Sequence, residues 1–269
     1  MADPLTISAR VAMVNLTVDA ATVRVMGWLK EAGIRSILLK GAAMRCWLYG
    51  DGDPRTYGDI DILVSPEQID AAGALMRSRG WTDSPYPSEI GHADNFRPPP
   101  GELPVPLDLH RSFHYVTVPP ARVWELLSAH AVPVRLANRN IETLDVTGLA
   151  AIVTLHHVRH GTGAQHTEDL KRAAARAPLE VWRGAADLAG QLGALAAFGA
   201  GLRDVRSGDA LADAIGLPET TDAALRLALS SPPPTAGAVL QLRQARADPA
   251  AMLRVLRSEL APPPLRMRE

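Results

Sequence analysis

The stretch Gly58-Asp59-Ile60-Asp61-Ile62-Leu63-Val64 decides the reading of this chain. It is rich in β-branched side chains, and the turn-forming Ser65-Pro66 follows it, so it reads as a strand. Side chains on a strand alternate between faces. Asp59 and Asp61 therefore project to one side, while Ile60 and Ile62 point into a core. An isolated D-x-D is commonly no more than a turn or a cap. Here the acids run into Ile62-Leu63-Val64, which puts them in an apolar strand and not in a solvated loop. Two carboxylates held side by side repel each other, and a divalent cation relieves that repulsion. Mg²⁺ takes carboxylate oxygens together with the oxygens of a bound phosphate. A third acid, Asp108, lies in Val105-Pro106-Leu107-Asp108-Leu109-His110, which reads as another strand. Added to the first pair, it would complete a clamp for two metal ions. Upstream, Ile37-Leu38-Leu39-Lys40-Gly41-Ala42-Ala43 reads as a strand running into a helix, with Lys40 and Gly41 at the junction. Lys40 and Arg55 flank the acids with the positive charge a triphosphate needs, and Gly58 allows close backbone approach. The pattern points to metal-dependent phosphoryl or nucleotidyl transfer.

Composition narrows the setting. The chain has 269 residues, enough for one large domain or two small ones. Its 47 % hydrophobic content supports a real core, and with only 4 % aromatics that core is mostly Ala, Leu and Val. Lys and Arg number 28 against 29 Asp and Glu, for a net charge of −1. That balance disfavours wholesale binding to nucleic-acid backbones, which usually takes a basic surface. The single cysteine, Cys46, excludes an intramolecular disulfide and fits a reducing compartment. It lies in an apolar helix pattern and is expected as a small buried hydrophobe. The N-terminus shows neither a basic segment nor a long apolar run, so no signal peptide is expected. With no uncharged run of 18 apolar residues, no membrane span is expected either, and a cytoplasmic location follows.

The order of elements separates two halves. A helix is expected over 6–32, stopped by Gly33. A buried strand follows over 35–39, then a helix over 41–49, a Gly/Asp/Pro loop, and the acid-bearing strand over 58–64. Ser65-Pro66 reads as an N-cap with proline at N1, opening a helix to about Arg79. Residues 81–104 are loop-rich, with a hairpin expected from strand pieces over 92–96 and 105–110. A helix over 119–129 and a strand pair over 132–136 and 141–144 complete this half. From Asp145 the pattern is helical almost to the end, with a turn at 230–234. The expected fold is therefore α+β. Residues 1–145 form a mixed sheet with flanking helices, 146–260 form a helical domain, and 261–269 form a disordered tail.

The motif set Leu38-Leu39-Lys40-Gly41-Ala42-Ala43-Met44, Leu48-Tyr49-Gly50-Asp51, Pro54-Arg55-Thr56-Tyr57-Gly58-Asp59-Ile60-Asp61 and Leu107-Asp108-Leu109-His110 resembles the uncharacterised nucleotidyltransferase family of the DNA polymerase beta-like superfamily. Members of that family occur beside gene clusters for peptide natural products. The resemblance runs from about residue 35 to 115. A looser echo follows in the segment from His160 to Arg172. It implies a nucleotidyltransferase-type mixed sheet carrying three acids, with a helical domain behind it. It also implies NTP, with ATP the expected one, and Mg²⁺ or Mn²⁺ as cofactor. Most relatives in the superfamily carry Gly-Ser at the first helix, where this chain has Gly41-Ala42 and no hydroxyl.

The roles expected on this basis are specific. Asp59 and Asp61 hold the metal ions. Asp108 holds the ion nearer the acceptor and helps deprotonate its hydroxyl. Lys40, Gly41, Arg55 and Gly58 cradle the phosphates, with backbone amides at the helix start assisting. His110, in phase with Asp108, stands on the acceptor side. On that side too are His160, His166 and Asp169, from the one run of clustered ionisable residues in the helical half. A zinc reading of His156, His160 and His166 is rejected, since no cysteine partner and no H-E-x-x-H arrangement accompanies them. The expected partners are an NTP and an acceptor, a peptide or small molecule, with no membrane and nucleic acid less favoured. Two other readings stay open: a catalytically weak nucleotide- or partner-binding module on the same fold, and a nucleotidyltransferase toxin acting on RNA.

Overall fold

Val18, Ala21, Val25 and Leu29 recur at helical spacing, and all four are buried. They form the inner stripe of α1 (Pro4–Glu31), which packs on a seven-stranded sheet. The computed structural model describes residues 4–50, 53–84, 92–160 and 164–219. The turn expected at 230–234, the later helices of the 146–260 segment and the tail at 261–269 lie outside the described residues.

The sheet is mixed, in the order β3-β4-β5-β2-β1-β7-β6. Its strands are β1 (Ser36–Leu38), β2 (Ile60–Val64), β3 (Thr82–Asp83), β4 (Ala93–Arg97), β5 (Leu107–His110), β6 (Ala131–Leu136) and β7 (Arg139–Leu144). Central β2 is buried on both faces, as its apolar run requires. It pairs antiparallel with β1 and parallel with β5. Helices α2 (Ala42–Leu48), α3 (Ile69–Ser78) and α4 (Pro120–Ser128) flank the sheet. Leu144 ends β7, and Val146 opens the helical series. That series runs α5 (Val146–His160), α6 (Ala164–Arg176), α7 (Leu179–Gln191), α8 (Leu195–Arg203) and α9 (Arg206–Ala214). Helix α5 is the hub, packed against α6, α7 and α8, with Leu149, Ala150, Leu155 and Val158 buried among them. The fold is α+β, a mixed sheet followed by a helical part. No described helix is long and apolar enough to cross a membrane.

Three expectations differ from the structure. Helix α3 begins at Ile69, not at Pro66. The Gln68 amide bonds the Ser65 carbonyl at 3.0 Å and closes a turn first, while the Gln68 side chain donates to the Gly33 carbonyl. Strand β3 was not anticipated: two exposed residues give no apolar signal, and β4 recruits them as an edge. Cys46 is exposed. A seven-residue helix offers too few turns for periodicity to fix which side faces the core.

Candidate active site

Register brings the acids together. In the parallel β2–β5 pair, Asp61 stands beside Asp108, and in the antiparallel β4–β5 pair Asp108 stands opposite Asn95. The three side chains form a row across adjacent strands on one sheet face. Leu107, Leu109, Ile60 and Ile62 fill the other face and are fully buried. The Leu39 amide bonds the Asp61 carbonyl at 3.0 Å, which carries Lys40 to the edge of the row. There the chain turns sharply through Gly41, whose φ is +60°. A Cβ at Gly41 would be strained and would approach the Tyr57 ring to 3.2 Å, so glycine is required on both counts.

These residues line a cleft of about 540 Å³ between the sheet and helices α5 and α6. Asp61 lies at its floor, 3 % exposed. Its Oδ1 accepts Lys40 Nζ at 2.7 Å and His110 Nε2 at 2.8 Å. Burial opposes the Asp61 charge, but Lys40 and His110 outweigh it and hold the carboxyl below the usual range. Asp59 stands open at the cleft wall. The neighbouring Asp61 charge and burial push its carboxyl up to about 6. Asp108 is raised by burial and by Asp61, while Asn95 Nδ2 donates to its Oδ1. Among the described residues, Asp61, Asp108 and His110 form the group able to hold a metal, with one donor atom from each within 4.8 Å of the others. The two carboxylates suit a hard divalent cation such as Mg²⁺ or Mn²⁺, while the imidazole is the donor that zinc and other transition ions prefer. The carboxylates therefore fit the expected ion, and His110, bonded to Asp61, stands beside them. Asp59 stands beside that group without belonging to it.

The helical part supplies a second constellation. Arg55 is buried, and its Nε and Nη2 donate to the two oxygens of Asp169 at 2.9 and 2.8 Å. Its Nη1 donates to the Gly41 carbonyl at 3.0 Å. Tyr49 Oη and Gln165 Nε2 also donate to Asp169, at 2.6 and 3.0 Å. Asn15 Nδ2, from α1, donates to the Arg55 carbonyl at 2.7 Å. Arg55 thus differs from its expected part as a phosphate contact. Three of its donors bind protein oxygens, and it ties α6 to the turn that carries Lys40. Asp169, expected on the acceptor side, is the buried counter-charge of this clamp. Gly58 lies on the cleft wall, and a Cβ there would meet nothing within 4 Å.

His166 borders the cleft beside His156, their rings edge-to-face at 4.4 Å. Burial is the main cause that lowers the His166 pKa, against the pull of Asp169. The side chain of His160 lies outside the described residues. Sequence reasoning missed Asn95, His92, Phe113 and His114. Phe113 stacks on His110 at 5.5 Å between ring centroids, and His92 packs edge-on to His114 at 4.4 Å. Burial first, then the charges of His110, Arg159 and Lys40, push His92 well below the ordinary histidine range.

Residues 5–207 match the profile of the uncharacterised nucleotidyltransferase family. The chain belongs to that family. No curated protein is significantly similar to it. Among solved structures it is similar to the antibiotic-resistance factor ANT(2'')-Ia, at 14 % identity over 68 % of this chain and 95 % of that one, with a TM-score of 0.46. It is also similar to an antigenic nucleotidyltransferase-like protein from Paracoccidioides brasiliensis, at 17 % identity over 77 % and 95 % of the two chains, with a TM-score of 0.42.

Proposed function

We propose that this family member moves a nucleoside monophosphate from an NTP, with ATP the expected donor, to a hydroxyl or phosphate of a peptide or small molecule, releasing pyrophosphate. The observation that carries this reading is the row of Asp61 and Asp108 side by side on paired strands, with Asp59 two residues before Asp61 at the same cleft. Asp59, Asp61 and Asp108, with His110 at hand, would hold Mg²⁺ or Mn²⁺. When bound, such an ion neutralises phosphate charge and lowers the pKa of the acceptor hydroxyl.

The remaining work is positioning and proton handling by the chain itself. Asn95 fixes one oxygen of Asp108 and leaves the other to take the acceptor's proton. The acceptor oxygen forms its bond to the α-phosphorus as the bond to pyrophosphate breaks in line. Lys40 and the Gly41 turn line the cleft, and the open space at Gly58 gives a nucleotide room against the backbone. His166 and the α5 side chains across the cleft are the proposed acceptor wall. The domain limits at 145 and 260 belong to the same reading, with the phosphate chemistry on the sheet half and the acceptor against the helices.

A second reading, a nucleotide-binding module without turnover, rests on the Lys40-Gly41-Ala42 turn, which offers no hydroxyl. Incubation with each labelled NTP, Mg²⁺ or Mn²⁺ and a panel of peptide and small hydroxyl acceptors separates the two. Pyrophosphate release with label on an acceptor supports transfer. Binding of Mn²⁺–NTP with no release under any pairing supports the module.

A further inference from the structure

Among the described residues, Asp61 is the one acid of the three whose charge the chain itself pairs with a cation. Lys40 Nζ and His110 Nε2 converge on its Oδ1, at 2.7 and 2.8 Å. The same carboxylate belongs to the three-donor group that fits a metal. A dication and an ammonium held against the same carboxylate repel each other, so each weakens the other's hold on Asp61 and the arrival of one favours the departure of the other.

The form of the Lys40 contact shows which can leave. Lys40 makes one ion pair through a flexible stem, and its side chain keeps 17 % exposure on the cleft wall. An ammonium is a point charge with no directional demand beyond its three rotatable donors. It can swing off Asp61 as long as another anion is in reach. The backbone that carries it does not swing, since the Arg55 guanidinium holds the Gly41 carbonyl at 3.0 Å. A mobile side chain on a fixed turn is suited to exchange partners inside the cleft.

We infer that Lys40 is the exchangeable counter-ion of Asp61: it neutralises the carboxylate while no divalent cation is bound, and it moves onto the phosphates when cation and nucleotide enter together. The nucleotide half of this statement rests on the nucleotidyl-transfer reading, and the exchange at Asp61 does not. Metal alone must displace an ammonium that has nowhere better to go, so it binds weakly. A triphosphate gives that ammonium a new partner, so each ligand strengthens the other by the same factor.

The test follows Mn²⁺ binding by calorimetry or electron paramagnetic resonance, with and without an ATP analogue bridged by carbon between the α- and β-phosphorus. In the wild type, Mn²⁺ alone should bind weakly and tighten by about tenfold with the analogue, a typical size for coupled sites. Lys40→Met should bind Mn²⁺ alone more tightly than the wild type and gain less from the analogue. Lys40→Gln keeps a donor on Asp61 without the charge, so it should fold even where methionine fails, and should shift in the same direction. Unchanged or weaker Mn²⁺ binding in the variants overturns the inference. The wild type supplies an independent readout, the acylation of Lys40 followed by peptide mass mapping, with exposed Lys30 and Lys171 as internal references. Labelling of Lys40 should rise with Mn²⁺ and fall again when the analogue is added, and constant labelling overturns the exchange. Protein that releases pyrophosphate while Lys40 labelling stays constant sinks the exchange alone. Protein that shows the exchange but never releases pyrophosphate sinks the transfer reading alone.

Discussion

The cleft holds two buried carboxylates with cationic partners, and they are built in opposite ways. Asp61 receives a lysine through one contact, in a pocket that also collects Asp59, Asp108 and His110. Asp169 receives an arginine through two parallel contacts, with Tyr49 and Gln165 on the same carboxylate and the third arginine nitrogen on a backbone carbonyl. Arg55 and Asp169 are 7 % and 3 % exposed, and nothing in the pair is left to rearrange. A bidentate guanidinium fixes geometry, whereas an ammonium only supplies charge. The difference teaches that burial and charge alone do not mark a reactive group: on the proposed reading the satisfied pair serves as scaffold and the under-satisfied one takes part in the chemistry.

The largest effect that can break this comparison is on turnover. Asp61→Asn should lower nucleotidyl transfer by about a thousandfold, the scale seen when a preorganised charge is removed from a transition-state site. The thermal unfolding midpoint should move little, because the asparagine oxygen still accepts a hydrogen bond and Lys40 can reach solvent. Retained turnover in radiolabel transfer would make Asp61 a structural acid like Asp169. The converse holds for the other pair. Asp169→Ala should destabilise the protein by about 3–5 kcal/mol, since it leaves a buried guanidinium unpaired. Denaturant titration measures this, and Arg55→Lys should fail to restore the stability that arginine gives, because lysine cannot span both oxygens.

A smaller effect sharpens the comparison within the acid row. Asp108→Ala should depress kcat far more than nucleotide affinity, if the side chain handles the acceptor's proton. Asn95→Ala removes only the amide that steadies Asp108, so the loss should be about tenfold to a hundredfold in kcat, the worth of one hydrogen bond to a charged group. Single-turnover rates set beside calorimetric affinities separate the two. Equal losses in rate and binding for Asp108→Ala would recast it as a ligand with no part in the proton transfer.

The Asp61–Asp108 pair was legible in the sequence because strand alternation and the apolar runs around them leave one arrangement, whereas Asp59, expected within the same strand, lies in a bend just before β2 begins at Ile60. The side-by-side register of Asp61 and Asp108 follows once both strands are placed in one sheet. Asn95 was hidden by the long loop between β4 and β5: without a tight turn, nothing local sets hairpin register, and the residue opposite Asp108 cannot be counted off. The Arg55–Asp169 clamp was hidden for a different reason. Its members lie 114 positions apart, and a lone arginine before an acidic strand looks the same whether it meets phosphate or protein. What distinguishes the two is which helix packs over it, and only the tertiary fold decides that. Cys46 shows the limit from the other side, since a short apolar helix does not announce which of its faces meets solvent.

The smallest effect concerns Asp59, and it tests whether the acids repel as the comparison requires. Among the described residues Asp59 makes no ion pair; it stands open at the cleft wall and is pushed up to about 6, chiefly by the Asp61 charge. Like charges that close raise the energy of the metal-free protein. Asp59→Asn removes the repulsion and keeps the shape, so the metal-free variant should be more stable than the wild type. Because Asp59 is exposed, solvent screening limits the gain to less than about 1 kcal/mol. The gain should shrink in molar salt, where the Debye length falls to about 3 Å. Added Mn²⁺ should reverse the order, raising the wild-type midpoint more than that of the variant, because the wild type keeps the full charge that a cation relieves. Thermal melts of both proteins in chelator, in high salt and in Mn²⁺ make the comparison. A variant no more stable than wild type in chelator would mean that Lys40 already screens Asp59 as well as Asp61, and that the row is neutral without a metal.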